Sequence, residues 1–214
     1  MIKVERSSNA PESLKERKRY DGEDVVQQLK KDFYDKCYIC GIKPVQDPNI
    51  EHLLPHKNGK YIDRKYDWNN LFWSCSHCNG IKNQNEYDEH IIDCCQRDPE
   101  KLLDFKVEND NILVDAKDSS DLEAVSTAQL MYDVFNKKNT GMRVHKCQVR
   151  VDALLSEMNA LYDNLEKYQS GDCSLIVKRT LKGLLDRKSP FAEFKRSYIR
   201  NHKEIFCELL EFIN

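Results

Sequence analysis

Residues 75–83 read CSHCNGIKN. A pair of cysteines two residues apart forms a tight turn whose backbone aims both sulfurs at one point, which is half of a tetrahedral metal site. The other half lies upstream, in residues 37–40, CYIC. The two knuckles are separated by 34 residues, a longer insert than a simple zinc ribbon needs. The spacing predicts a structural Zn²⁺ on Cys37, Cys40, Cys75 and Cys78. Four protein thiolates leave no open coordination position, so this metal organises the fold and performs no chemistry.

Working outward, the chain has 214 residues, 40% hydrophobic and 33% charged, the composition of a soluble globular protein of one or two domains. No apolar run approaches the roughly 18 residues of a membrane span. The opening MIKVERSSNAPESLKERKRY has no apolar core of a secretory signal. The expectation is a cytoplasmic protein without membrane contact, where nine cysteines mean metal binding and buried thiols rather than disulfides. The formal charge of −2 carries no nucleic-acid signature by itself. Its distribution is uneven: residues 86–135 hold 14 acidic and 4 basic side chains, and residues 174–203 hold 9 basic and 2 acidic. Either the two blocks neutralise each other or the basic one meets phosphate or an acidic partner.

The first 21 residues read as a polar, extended arm with at most a short helix near Pro11 and Leu14. Residues 22–36 place Val25, Val26, Leu29 and Phe33 on one helical face. Helical character is expected again over 86–103, interrupted at Asp98-Pro99. Residues 104–116 alternate around Asn-Asp-Asn as a hairpin. Beyond residue 120 the pattern is helical: 122–135; 144–168, with a stripe of Val151, Leu154, Leu155, Met158, Leu161 and Leu165; 175–185; and 191–213, broken once.

The insert carries the chemistry. Residues 50–56, IEHLLPH, place Glu51 beside His52. Strand neighbours point to opposite faces, so both serve one site only where the strand ends, as Pro55 suggests. A carboxylate and a neutral oxygen can hold a hard divalent cation while an imidazole deprotonates water. If Cys78 starts a helix, Asn79 and Asn83 lie one turn apart. Asn83 would then reach the cation on Glu51, and Asn79 would serve the helix start. His56 is a further candidate ligand. Lys57, Lys60, Arg64 and Lys65 form a basic loop suited to backbone phosphates, and Lys82 is a further phosphate candidate. Buried thiols are the expectation for Cys94, Cys95, Cys147, Cys173 and Cys207. Trp68 and Trp73 are expected in the core, and His77 at the surface.

The order C-x-x-C, E-H-x-x-P, N-L-x-x-x-C-x-x-C-N-x-x-K-N resembles the HNH endonucleases of the ββα-metal fold. The resemblance implies an α+β protein in which a zinc-stapled ββα-metal core is embedded in a mostly helical chain. The divisions are 1–36 (arm and helix), 37–90 (nuclease core) and 91–214 (helical region with the hairpin near 104–116). It implies His52 as the general base and Asn70 as the residue holding the base-bearing loop. Glu51 and Asn83 would be the ligands of a catalytic Mg²⁺ or Mn²⁺. More weakly, the whole chain resembles the HNH subunits of bacterial Septu anti-phage systems, some of them attached to retrons. That implies a PtuA-like ATPase of the ABC/OLD type as partner, in retron systems together with a reverse transcriptase and its RNA and DNA. The substrate is DNA or RNA, and a toxin cleaving RNA uses the same residues. The alternative from another class is a zinc-binding adaptor without catalysis.

Overall fold

The computed structural model describes residues 1–83, 85–108, 111–172 and 174–213. In chain order its elements are α1 (Glu12–Lys15), α2 (Glu23–Asp32), β1 (Pro48–His52), α3 (Ile62–Tyr66), β2 (Leu71–Cys75), α4 (Ser76–Ile81), α5 (Pro99–Leu102), β3 (Leu103–Glu108), β4 (Asn111–Ala116), α6 (Leu122–Asn136), α7 (Gly141–Gln169), α8 (Leu175–Leu185) and α9 (Ala192–Asn201), with 3₁₀ turns at Lys57–Gly59, Trp68–Asn70 and Cys207–Phe212. The architecture is mixed, with helix predominating. No helix among the described residues is long and apolar enough to cross a membrane.

Two antiparallel strand pairs organise it. In the first, β1 runs against β2 with Pro48 opposite Cys75, Glu51 opposite Phe72 and His52 opposite Leu71. All five residues of β2 are buried, and β1 goes from exposed Pro48 to buried Glu51 and His52. The strand therefore ends where the chemistry-bearing pair sits. Helix α4 follows β2 without a loop. In the second pair, β3 and β4 register from Leu103–Ala116 to Glu108–Asn111, as the alternation predicts; Asn109 and Asp110, expected to form the turn, lie outside the described residues. Helix α6 packs on β4, α9 on β3, and α7 on α6 and α8.

The helices follow their periodicity. On α2, Val25, Leu29 and the following Phe33 are buried. On α7, Val151, Leu154, Met158, Leu161 and Leu165 form the buried stripe. Side-chain caps close the exposed N-termini: Asp121 for α6, Thr140 for α7 and Ser174 for α8. Gly171, at φ +95°, turns the chain after α7.

Three expectations need correction. Residues 86–98 are turns and extended chain, not helix: Val4 N donates to Cys94 O at 3.0 Å and Ile92 N to Thr127 Oγ1 at 2.9 Å, and these tertiary partners override local propensity. The N-terminal arm is no free extension. Met1, Ile2 and Val4 are buried, and Arg6 donates to the carbonyls of Trp68 and Leu71 while lying over the rings of Trp68, Phe72 and Phe33. One continuous hydrophobic core joins Val4 and Leu29 to Trp73, Leu154 and Phe194. Cys207 is exposed and Cys95 half-buried, whereas Cys94 and Cys147 are buried. Cys173 lies outside the described residues.

The two charge blocks meet. Buried Glu100 takes Arg196 at 2.6 Å, Arg200 at 2.9 Å and Arg187 at 3.3 Å, and Asp98 takes Arg187 at 3.3 Å. Lys178, Arg179 and Lys182 on α8 stay exposed and outside any ion pair among the described residues.

Candidate metal centre and catalytic cleft

The four cysteines of the two knuckles converge. The sulfurs of Cys37, Cys40, Cys75 and Cys78 lie within 4.8 Å of one another, and all four residues are buried. Tyr38 N donates to Trp73 O at 3.0 Å, tying the first knuckle to β2, and Gly41 turns that knuckle at φ +80°. A Cβ at Gly41 would lie 2.4 Å from Glu193 Oε1, so glycine is required there on two grounds. A closed tetrathiolate without water suits a structural Zn²⁺. Trp68 and Trp73 pack in the core beside it. His77, expected at the surface, is instead buried, with Nε2 on Val134 O at 2.9 Å; burial drives its pKa down to about 4 and keeps it neutral.

A cleft of about 320 Å³ opens between β1, the turn that follows it and α4. Its lining includes Tyr20, Glu51, His52, His56, Asn79 and Asn83. His52 sits at the end of β1 with its Nε2 3.2 Å from the carbonyl oxygen of Lys65. A carbonyl only accepts, so Nε2 carries the proton and Nδ1 the lone pair. The ring packs edge-on against Tyr20 and His56, each 4.8 Å away. Burial holds its pKa below the ordinary value, although the Lys65 carbonyl pulls the other way. Neutral at cellular pH, His52 has the protonation state a general base needs.

Asn70, buried after a 3₁₀ turn, uses its whole amide. Its Oδ1 accepts from Leu54 N at 2.8 Å, and its Nδ2 donates to Leu54 O at 2.9 Å and Arg64 O at 2.8 Å. It thus staples the chain after His52 to α3, whose Lys65 carbonyl orients that histidine.

The expected cation ligands are placed differently. Glu51 is buried with both oxygens engaged: Lys82 Nζ donates to Oε1 at 2.7 Å and Tyr38 OH to Oε2 at 2.6 Å. Burial beside Glu51 raises the Tyr38 pKa well above its ordinary value, so Tyr38 remains a donor. Lys82 also donates to the carbonyls of His52 at 3.1 Å and Leu53 at 2.9 Å, using all three of its N–H groups. Lys82 is therefore a buried strut rather than a phosphate contact. Asn83 is not on the helix, because α4 stops at Ile81. Its Oδ1 accepts from Asn85 N at 3.0 Å and Glu86 N at 3.1 Å, which makes it a turn residue. Asn79, in the same cleft, has no side-chain hydrogen bond among the described residues. His56 Nδ1 accepts from Gly59 N at 3.1 Å. Its Nε2 must then carry the proton and has no lone pair for a metal. The side chains as placed do not fit a divalent cation at Glu51: an incoming ion would meet the Lys82 ammonium where a free carboxylate was expected.

In the chain that follows the cleft-lining residues 55–58, Lys60 and Arg64 lie over the Tyr61 ring at 5.3 and 4.2 Å, and Lys65 lies 5.9 Å from Tyr20 and 5.4 Å from Tyr66. None of these three cations has a carboxylate partner among the described residues. Lys57 does, in Asp88 at 2.6 Å. Tyr20 and Asn79 were missed as cleft residues, and Tyr38 as the buried donor to Glu51. Their only sequence signal was an aromatic in a polar arm, an amide directly after Cys78 and an aromatic inside the first knuckle. No protein-family model matches the chain, and no curated protein matches it significantly.

Proposed function

We propose that the chain is a nuclease of the HNH type, hydrolysing phosphodiester bonds in nucleic acid. The observation that carries this reading is His52: a neutral imidazole whose Nε2–H is held by a main-chain carbonyl, leaving the Nδ1 lone pair free, in the lining of an open cleft. Arg64 and Lys65, neither paired with a carboxylate among the described residues, lie against the lining residues Pro55 and Tyr20. In the proposed reaction His52 Nδ1 takes the proton of an attacking water, whose oxygen bonds to phosphorus as the bond from phosphorus to one ester oxygen breaks; the departing oxygen takes a proton from solvent. Charge developing on the phosphate oxygens faces the His56 Nε2–H and the Asn79 amide. Lys60, Arg64 and Lys65 hold the flanking backbone phosphates, contacts that position a strand without reading its sequence. The Zn²⁺ of the cysteine cluster keeps β2 and α4 in place and takes no part in the chemistry. By the sequence resemblance, the biological setting is a bacterial, cytoplasmic anti-phage system in which a PtuB-like nuclease works with a PtuA-like ATPase.

One observation favours a second reading. The closed Glu51–Lys82–Tyr38 cluster is what a zinc-organised adaptor without catalysis would keep for stability alone. One assay separates the two. Purified protein, with and without its ATPase partner, is incubated with end-labelled DNA and RNA in Mg²⁺, Mn²⁺ or EDTA. Cleavage lost in His52→Ala supports the nuclease. No cleavage of either polymer in any condition, with the partner present, leaves the adaptor.

A further inference from the structure

Arg150, on α7, is 75 residues from Cys75 in sequence and 94% buried. A buried guanidinium needs a counter-charge, because its desolvation costs several kcal/mol. No carboxylate lies within ion-pair distance of it among the described residues. Its Nη1 donates to Lys146 O at 2.8 Å, on its own helix, and its Nη2 donates to Cys75 Sγ at 3.1 Å. The cysteine cluster has the opposite problem. Four thiolates around one Zn²⁺ leave a net charge of −2, and all four sulfurs are out of water. The knuckles supply no cation of their own, since His77 is occupied by Val134 O. Arg143, the other cation of α7 on this side, faces Gly80 O at 3.4 Å and touches no sulfur.

We infer that Arg150 is the counter-ion of the zinc tetrathiolate and the positioning residue of Cys75, so that α7 forms part of the metal site although it supplies no ligand. This holds whether or not the chain is a nuclease. The guanidinium withdraws charge from one sulfur, which keeps that sulfur on the metal and makes it a poorer nucleophile.

The test uses full-length, zinc-loaded protein and the variants Arg150→Met, Arg150→Lys and Arg143→Met. Zinc affinity is read by competition with a chromogenic chelator. Zinc release under excess iodoacetamide is timed, and the first cysteine alkylated is found by mass spectrometry. Arg150→Met should weaken affinity and speed release by about 10–100-fold, the range for outer-shell partners of metal ligands. Its first alkylation should fall on Cys75. Arg150→Lys, which keeps charge without the planar fork, should fall between, and Arg143→Met should match wild type. Wild-type affinity and release in Arg150→Met would overturn the assignment, as would equal loosening in Arg143→Met. If Arg150→Met does not fold, Arg150→Gln, which keeps polar donors without the charge, decides: faster release with Cys75 alkylated first supports the counter-ion, and unchanged release refutes it.

Discussion

His52 and Lys82 are both buried beside Glu51, yet their environments assign them opposite tasks. His52 has one nitrogen held by Lys65 O and one left with a lone pair. His52→Ala should therefore abolish cleavage while zinc content and Tm stay at wild-type values; retained cleavage would move the base elsewhere in the cleft. The pH dependence follows from the direction of the shift. Burial lowers the His52 pKa, and the reactive form is the neutral one. Activity should fall on acidification with a midpoint below the ordinary imidazole value of about 6.5 and be flat above it. A kcat/KM profile still rising between pH 7 and 8 would contradict a His52 base. Lys82, by contrast, is all structure. Lys82→Met leaves the Glu51 carboxylate buried with Tyr38 as its remaining donor, and should cost about 3–5 kcal/mol. The double variant Lys82→Met/Glu51→Gln should cost clearly less than the sum of the two single changes, as read by denaturant melts.

Among the elements, β1, β2 and α4 depend most on the metal. Each is five or six residues long, and a two-stranded pair of that length is marginal alone in water. Cys75 ends β2 and Cys78 lies in α4, while Cys37 and Cys40 precede β1, so a metal held by the four would close these elements in a way their own hydrogen bonds cannot. Cys40→Ser or Cys78→Ser should lower zinc content and Tm together, since structural zinc contributes about 10–16 kcal/mol in small zinc-finger peptides. Metal analysis finding one zinc per chain in either variant would remove that cysteine from the site. The β3–β4 hairpin has no such dependence, because α6 and α9 cover it. Chelation should thus loosen amide protection in residues 48–52 and 71–81 before 103–116.

At the scale of the molecule, the C-terminal helices are built into the fold around the cysteine cluster. They supply Thr127 Oγ1 to Ile92, Val134 O to His77 and the Arg150 guanidinium to Cys75. A chain ending near Asp118 should be insoluble or poor in zinc, so partner docking has to be tested on the surface. The place to test it is α8, whose Leu175 and Ile176 are 70% and 77% exposed beside Lys178, Arg179 and Lys182. Leu175→Asp/Ile176→Asp should keep wild-type Tm and zinc and lose co-purification with the ATPase proposed as partner. Full recovery of the complex would place the interface elsewhere.

Local pattern alone determined a good deal of this protein. The knuckles predicted the cysteine cluster, because paired cysteines at that spacing form the same turn wherever they occur. The 3.6-residue stripes predicted α2, α6, α7 and α8, and the alternation predicted the hairpin, since burial on one face imposes those periods. What a titratable side chain does was decided only by the tertiary structure. Glu51, Asn83 and His56 have the residue types of a cation site, and Lys82 that of a phosphate contact. Their roles changed because a charge out of water takes the nearest complementary partner, and that partner is found in space: Lys82 for Glu51, 31 residues away, and Arg150 for Cys75, 75 residues away.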